Sequence, residues 1–300
     1  MELRQLRAFA LAAQTMNFSE AADKMCVTQS TFSQTIKSLE QELKVELFHR
    51  NSHEVTLTEA GREILPFAQN TLQQAKYCED RVLDLMQLRC GTLNIGVTHS
   101  FKIVASDAIM LFIRTYPNIR LMVYYKTMRE LLEMLEGGEV DCVLSYKPDT
   151  ISDDIESHTL FDDRLSAVVG ISHPIASAKS IALSELKRHS LALPAKGMQA
   201  RNILDQICHQ RGIDLQPRLE INEVTPLLQL VQTSSMVTVL SRSSIEGHND
   251  LKAIPIEGSE GLMTGSFHVL RDAYRKHSMK AFVDILVQAT TVHKRMGLLD

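Results

Sequence analysis

The sequence predicts an α+β multidomain chain: an N-terminal winged helix-turn-helix, a long helix, and a two-lobed α/β region. Three observations predict it. Apolar residues recur at helical spacing, with good N-caps, through the first sixty residues; from Thr58 to about Leu88 there is one proline and no glycine after Gly61; beyond Gly91 strand-like and helix-like segments alternate. Three hundred residues exceed one ordinary core and suit two or three domains. The boundaries are expected at 1–58, 59–89 and 90–300, with lobe 1 at about 90–162 and 267–300 and lobe 2 at about 163–266.

Leu3, Leu6, Phe9, Ala10 and Ala13 mark a first helix. Ser19 is the expected cap of a second, Glu20–Met25, and Thr28 of a third starting at Gln29. On the third helix Phe32, Ile36, Leu39 and Leu43 form one apolar stripe facing the core. Ser30, Gln34 and Lys37 point away from it, with Ser33 at the flank and Gln29 at the tip. Short donors and acceptors on such a face suit base edges in a major groove, although any solvated helix face carries the same residue types. Val45–Arg50 and Val55–Leu57 read as two strands of a β-wing around Asn51–Glu54, which would bring Arg50 and His53 to phosphate.

Ala21-Ala22, Val27-Thr28-Gln29-Ser30-Thr31-Phe32-Ser33, Ile36, Leu39-Glu40, Leu43, Leu47-Phe48, Arg50 and Leu57-Thr58-Glu59-Ala60-Gly61 resemble the N-terminal signature of LysR-type transcriptional regulators, without a gap. The resemblance implies a helix-turn-helix from Phe18 to Lys37 and DNA contacts at Gln29, Ser30, Thr31, Ser33, Gln34 and Lys37, with Arg50 and His53 on the backbone. It also implies a double-stranded DNA operator, a homodimer or homotetramer, and RNA polymerase as a further partner. Three residues depart from the pattern. Lys44 stands where such proteins commonly have Gly, Cys26 where Gly, Asn or His is usual, and Glu54 where Arg is frequent.

Thr58 is a capable N-cap for the long helix, and Pro66 would bend it near its start. Ile64, Ala68, Thr71, Ala75, Cys78, Val82 and Leu85 alternate in steps of four and three, either the seam of a helix pair or a face packed on its own domain.

In the last two-thirds, Leu93–Val97, Arg120–Tyr125 and Val140–Tyr146 read as strands, with helices at Ile103–Thr115 and Met128–Glu136. A second set runs Leu165–Gly170, Ser190–Leu193, a helix from Met198 to Gln210, Leu219–Ile221, a helix Thr225–Thr233, and Val237–Leu240. Ser266–Arg271 and a helix from Ser278 to about Val292 close the chain, with crossovers near Phe161–Leu165 and Met263–His268. Ligands collect at the carboxyl ends of strands in open α/β sheets. Those ends carry Thr98, His99, Ser100, Thr127, Tyr146, Gln199 and Glu223. Glu223 disfavours a highly charged ligand.

This region is similar to the LysR-type effector domain, a two-lobed fold like that of periplasmic binding proteins. Gly96-Val97-Thr98 with Phe101, and Val231–Leu240 with Thr233-Ser234, look closest to the cyanate-operon and aromatic-acid branch. The resemblance implies effector-binding positions at Thr98, His99, Ser100, Thr127, Tyr146, Gln199, Glu223 and Phe267. Ser234-Ser235-Met236 replaces the Gly-rich turn often found there.

A net charge of −4, with seven Lys/Arg against nine Asp/Glu up to Leu65, means that basic residues must cluster on one face for DNA to bind. The N-terminus reads as an amphipathic helix, not a signal peptide, and no apolar run reaches the roughly 20 residues of a membrane span, so a cytoplasmic location is expected. Five dispersed cysteines form no metal-ligand spacing and are expected reduced and mostly buried; a redox role for Cys208 or Cys142 is the alternative. The sequence carries no Gly-x-Ser-x-Gly, P-loop, Gly-x-Gly-x-x-Gly or His-Glu-x-x-His motif, so no enzymatic activity, cofactor or metal is expected. A solute-binding protein for uptake is the remaining rival, opposed by the helix-turn-helix.

Overall fold

The computed structural model describes residues 1–50, 55–84, 91–148, 150–258 and 261–295. The chain divides into two compact units, Met1–Leu83 and Asp84–Asp300.

In the first unit, α1 (Leu3–Thr15), α2 (Phe18–Lys24) and α3 (Gln29–Leu43) pack around one core. The face α1 buries is Gln5, Leu6, Ala8, Phe9, Ala12 and Ala13; Leu3 is 47% exposed and Ala10 only half-buried, so both lie off the expected stripe. Asn17, not Ser19, caps α2, accepting from the amides of Ser19 (2.9 Å) and Glu20 (3.2 Å). Starting the helix at Phe18 puts that ring edge-on to Phe32 and Phe48 in the core, which a start at Glu20 would not do. Thr28 caps α3 at 3.2 Å from the Thr31 amide, and Phe32, Ile36 and Leu39 are buried, with Leu43 half-buried. Both departures in this unit that the structure describes adopt the left-handed region, Cys26 at φ 55° and Lys44 at φ 58°. Each occupies the conformation for which glycine carries no steric cost.

The wing strands are β1 (Phe48–Arg50) and β2 (Val55–Leu57), antiparallel with Phe48 opposite Leu57. β1 is shorter than expected because Glu40 Oε1 accepts from the amides of Leu47 (2.9 Å) and Phe48 (3.3 Å), drawing the approach to the strand onto α3. His53, Glu54 and the Arg50 side chain lie outside the described residues. α4 (Glu59–Asp84) then begins at a tight junction. The Thr58 hydroxyl accepts from the Gly61 amide (2.9 Å) and donates to the Glu46 carbonyl (2.7 Å), and the Arg62 guanidinium donates to the Leu57 carbonyl (2.9 Å). α4 runs on through Pro66.

The seam on α4 divides. Ala68 is buried and Ile64 half-buried against the first unit's own core, whereas Thr71, Cys78 and Val82 are exposed. Phe67, absent from the expected seam, is 73% exposed. Leu85 and Cys90 lie outside the described residues.

The second unit is built on one mixed sheet. β3 (Thr92–Val97) lies between β4 (Arg120–Tyr125) and β5 (Cys142–Tyr146), all parallel, with α5 (Lys102–Thr115) and α6 (Met128–Glu136) as crossovers. In the other half β7 (Ser190–Pro194) lies parallel to β8 (Leu219–Ile221) and β9 (Met236–Ser241), with α7 (Gln199–Gln210) and α8 (Val224–Gln232). The halves are joined by two long antiparallel strands, β6 (Ile155–Gly170) and β11 (Leu262–Leu270). The expected strand at Leu165–Gly170 is thus the second part of β6, which pairs with β11 first and then with β9 and β10 (Leu251–Pro255). No strand is expected at β10 from the sequence. α9 (His277–Arg295) packs on α5 through Phe282 and Phe112.

Candidate DNA-reading face and interlobe cleft

Gln29, Ser30, Thr31, Gln34 and Lys37 are exposed on α3 and Ser33 is half-buried. The first-turn side chains are already tied together: the Thr28 hydroxyl lies 3.0 Å from Ser30 Oγ and 2.9 Å from Thr31 Oγ1, and Gln29 Nε2 donates to Ser33 Oγ at 3.3 Å. Gln34 and Lys37 make no side-chain bond among the described residues, so their donors and acceptors stay available. The unit's acidic excess does not crowd this face. Glu40 is turned to the Leu47 and Phe48 amides, Glu42 pairs with the Met1 amine, and Glu20 pairs with Lys24 at 3.0 Å. Gln5, buried in α1, donates to Ser38 Oγ at 3.3 Å and fixes the back of α3.

In the second unit a cavity of about 340 Å³ opens at the carboxyl ends of the parallel strands. Thr98, His99 and Ser100 follow β3, and Tyr125, Lys126, Thr127 and Glu130 come from the β4–α6 turn. Lys196, Gly197, Met198 and Gln199 enter from β7–α7, and Asn222 and Glu223 from β8–α8. Tyr125, Lys126 and Glu130 are additions to the expected set, and their adjacency to Thr127 is the signal that could have found them.

The N-termini of α7 and α8 have no side-chain cap, their N-cap residues being Met198 and Glu223. First-turn amides of a helix left without such an acceptor favour an anion. α6 is different. Thr127 caps it and donates to Glu130 Oε2 at 2.6 Å, while Glu130 accepts from the Thr127 amide at 3.0 Å and lies 3.3 Å from Lys126 Nζ. These bonds, the Thr127 hydroxyl first, hold the Glu130 carboxyl at about 2.

Contacts that span the cleft among the described residues include His99 Nδ1, 3.6 Å from Glu223 Oε2, and Gln199 Nε2, which donates to the Lys147 carbonyl at 3.4 Å. The Thr98 hydroxyl sits 3.4 Å from both Ser100 Oγ and the Leu144 carbonyl.

Tyr146 and Phe267 are not on these walls. Tyr146 is buried, its hydroxyl donating to Asp163 Oδ2 (2.6 Å) and lying 2.9 Å from Ser243 Oγ, because the end of β5 abuts β6 and the turn after β9. Phe267 is half-buried on β11, its ring stacked on His158 at 4.7 Å. Among the described contacts the Tyr146 hydroxyl is engaged by Asp163 and Ser243 and the Phe267 ring by His158, so neither side chain is among those lining this cavity.

Cys142 and Cys208 are buried, Cys26 and Cys78 exposed, so "mostly buried" holds for only half of the described thiols. Burial pushes the thiols of both Cys142 and Cys208 up, away from the thiolate that redox sensing requires. Among the described residues no group of three or more His, Cys, Asp or Glu could hold a metal ion, and no helix is long and apolar enough to cross a membrane.

Residues 3–62 match the bacterial regulatory helix-turn-helix proteins of the lysR family, and residues 86–291 match the LysR substrate binding domain. The chain belongs to the LysR family. It is a DNA-binding transcriptional regulator with an effector-binding domain. Similar proteins include the RuBisCO operon transcriptional regulator of Allochromatium vinosum, 25% identical over 99% of both chains. Among solved structures, a full-length OxyR variant from Pseudomonas aeruginosa is similar at a TM-score of 0.73 and 22% identity, covering 97% of this chain and 95% of that one. The regulatory domain of Synechocystis CcmR, solved in complex with 2-PG, is similar at a TM-score of 0.61 and 19% identity, covering 67% of this chain and 97% of that one. At these identities the solved structures establish the fold alone.

Proposed function

We propose that this LysR-family regulator reads its operator with Gln29, Ser30, Thr31, Ser33, Gln34 and Lys37 of α3, with Arg50 and His53 on the phosphate backbone, and that a small anion bound in the interlobe cleft controls it. The observation that carries the effector reading is the meeting of two N-termini without side-chain caps, those of α7 and α8, with the hydroxyls of Thr98 and Ser100 in one cavity. The CcmR regulatory domain's complex with 2-PG accords with a small-molecule ligand for this fold. The cavity also contains Lys196, which makes no bond or ion pair among the described residues.

On this reading the protein performs no chemistry on its ligand: binding alters the angle between lobes and thereby the grip on DNA. It acts as a homodimer or homotetramer, paired through the exposed stripe of α4, with RNA polymerase as the further partner. Its place of action is with the DNA, in the cytoplasm.

The test is operator affinity with and without small carboxylates and phosphate for the native chain and for Thr98→Val with Ser100→Ala. The native chain responds and the double variant does not. A full response in the double variant would remove the cleft as the sensing site.

A further inference from the structure

Glu223 occupies the N-cap position of α8, yet its side chain accepts no bond from that helix's amides. It turns across the cleft to His99, 3.6 Å away, whose ring lies nearly parallel to Tyr125 at 6.1 Å. The two residues come from opposite halves of the sheet, so the contact bridges the lobes. The other charges facing it are accounted for differently. Lys126 and Glu130 are paired on their own turn, and Lys196 lines the cavity without a bond or ion pair among the described residues, a cation equally open to an incoming anion. Glu223 is therefore the cleft carboxylate that is tied to the opposite lobe instead of its own element. With the Glu223 side chain 49% exposed, the pair is weak and readily exchanged.

We propose that Glu223 is an internal stand-in for the effector's anionic group: it holds His99 across the cleft and is displaced when a singly charged ligand takes its place. The proposal rests on the cleft's being the effector site. The incoming anion gains His99 and the first amides of α8, while Glu223 swings into water, where hydration replaces the lost partner. Because Glu223 stays within a few ångströms at the head of α8, a second negative charge on the ligand meets like-charge repulsion. The site thus selects by charge as well as by shape.

The probes are methanesulfonate and sulfate, similar in shape and differing by one charge, titrated calorimetrically into the full chain at constant ionic strength. The native protein binds methanesulfonate more tightly. Glu223→Gln binds both more tightly, and sulfate gains about tenfold over methanesulfonate. His99→Gln weakens both. If the native chain binds both anions and Glu223→Gln leaves their affinities or their ratio unchanged, the stand-in is overturned while the cleft reading stands. If neither anion binds the native chain or either variant, the anion-cleft reading itself falls.

Discussion

Gly61 lies so close to the Leu47 backbone that a β-carbon on it would overlap the Leu47 carbonyl oxygen and lie 2.9 Å from the Leu57 side chain. That carbonyl also accepts from the Thr58 amide at 3.0 Å and cannot withdraw without breaking the bond. Gly61→Ala is therefore expected to destabilise the N-terminal unit by about 1–3 kcal/mol, as overpacking does. Urea unfolding of the native and variant proteins measures it.

Lys44 terminates α3 at φ 58°. Lys44→Gly removes the steric cost of that conformation, offset in part by the greater freedom of glycine in the unfolded chain, leaving a net gain of up to ~1 kcal/mol. The urea midpoint rises, and an unchanged or lower midpoint would contradict the strain.

Gln34 and Lys37 should separate on DNA. Gln34→Ala loses about 1–3 kcal/mol of discrimination between operator and mismatched sequences. Lys37→Gln instead weakens binding to every sequence and lowers the salt dependence by about one unit of slope. Footprinting titrations at several salt concentrations distinguish the two.

Phe67, 73% exposed, faces away from the first unit's core although Ala68 beside it is buried there, and Val82 is 63% exposed further along α4. If this face pairs two chains, Phe67→Asp or Val82→Asp places an unpaired charge in the contact and separates the subunits. Sedimentation reports the mass, and operator affinity falls with it because each half-site is then bound singly.

His268 is fully buried on β11 between Ser145 Oγ (2.9 Å) and Ser157 Oγ (2.8 Å). Burial, reinforced by the nearby Lys147 and His158, pulls its pKa down to about 4. The unfolded chain then binds the extra proton between pH 6.5 and 4, so stability is retained above that window and falls as pH drops through it. The loss amounts to ~3 kcal/mol at the lower end. His268→Gln should flatten this part of the native pH–stability curve.

Much of the fold is local in origin and was legible for that reason. Thr28 and Thr58 cap helices with bonds to residues three positions on, and β4, α6 and β8 fall at their expected limits. The misses have nonlocal causes. The expected strand begins only at Leu165, after a crossover near Phe161–Leu165, yet β6 runs unbroken from Ile155, with Asp163 inside it satisfied by Tyr146 and Ser243, 17 and 80 residues away. The same partners took Tyr146 out of the cleft, where a strand-end position alone would place it. β10, five residues ending in Pro255, is formed by pairing with the Ser166–Gly170 stretch of β6. On α4 a heptad count could not distinguish Ala68, used by its own core, from Phe67 beside it.

The halves of the effector domain are joined by hydrogen-bonded strands: β6 and β11 pair from Ile155 opposite Leu270 to Arg164 opposite Leu262. The one register shift falls between Gly265 and Ser266, where a β-carbon on Gly265 would lie 2.6 Å from the Phe161 ring. β11 is also paired to β5 at that point, Gly265 opposite Tyr146, so the bulge concentrates twist within the continuous sheet that joins the halves. If a ligand changes the angle between lobes as proposed, the change must be torsional and elastic: amide protons along β6 and β11 are then expected to stay slow to exchange with deuterium with and without ligand, and bulk at Gly265 to stiffen the joint instead of cutting it.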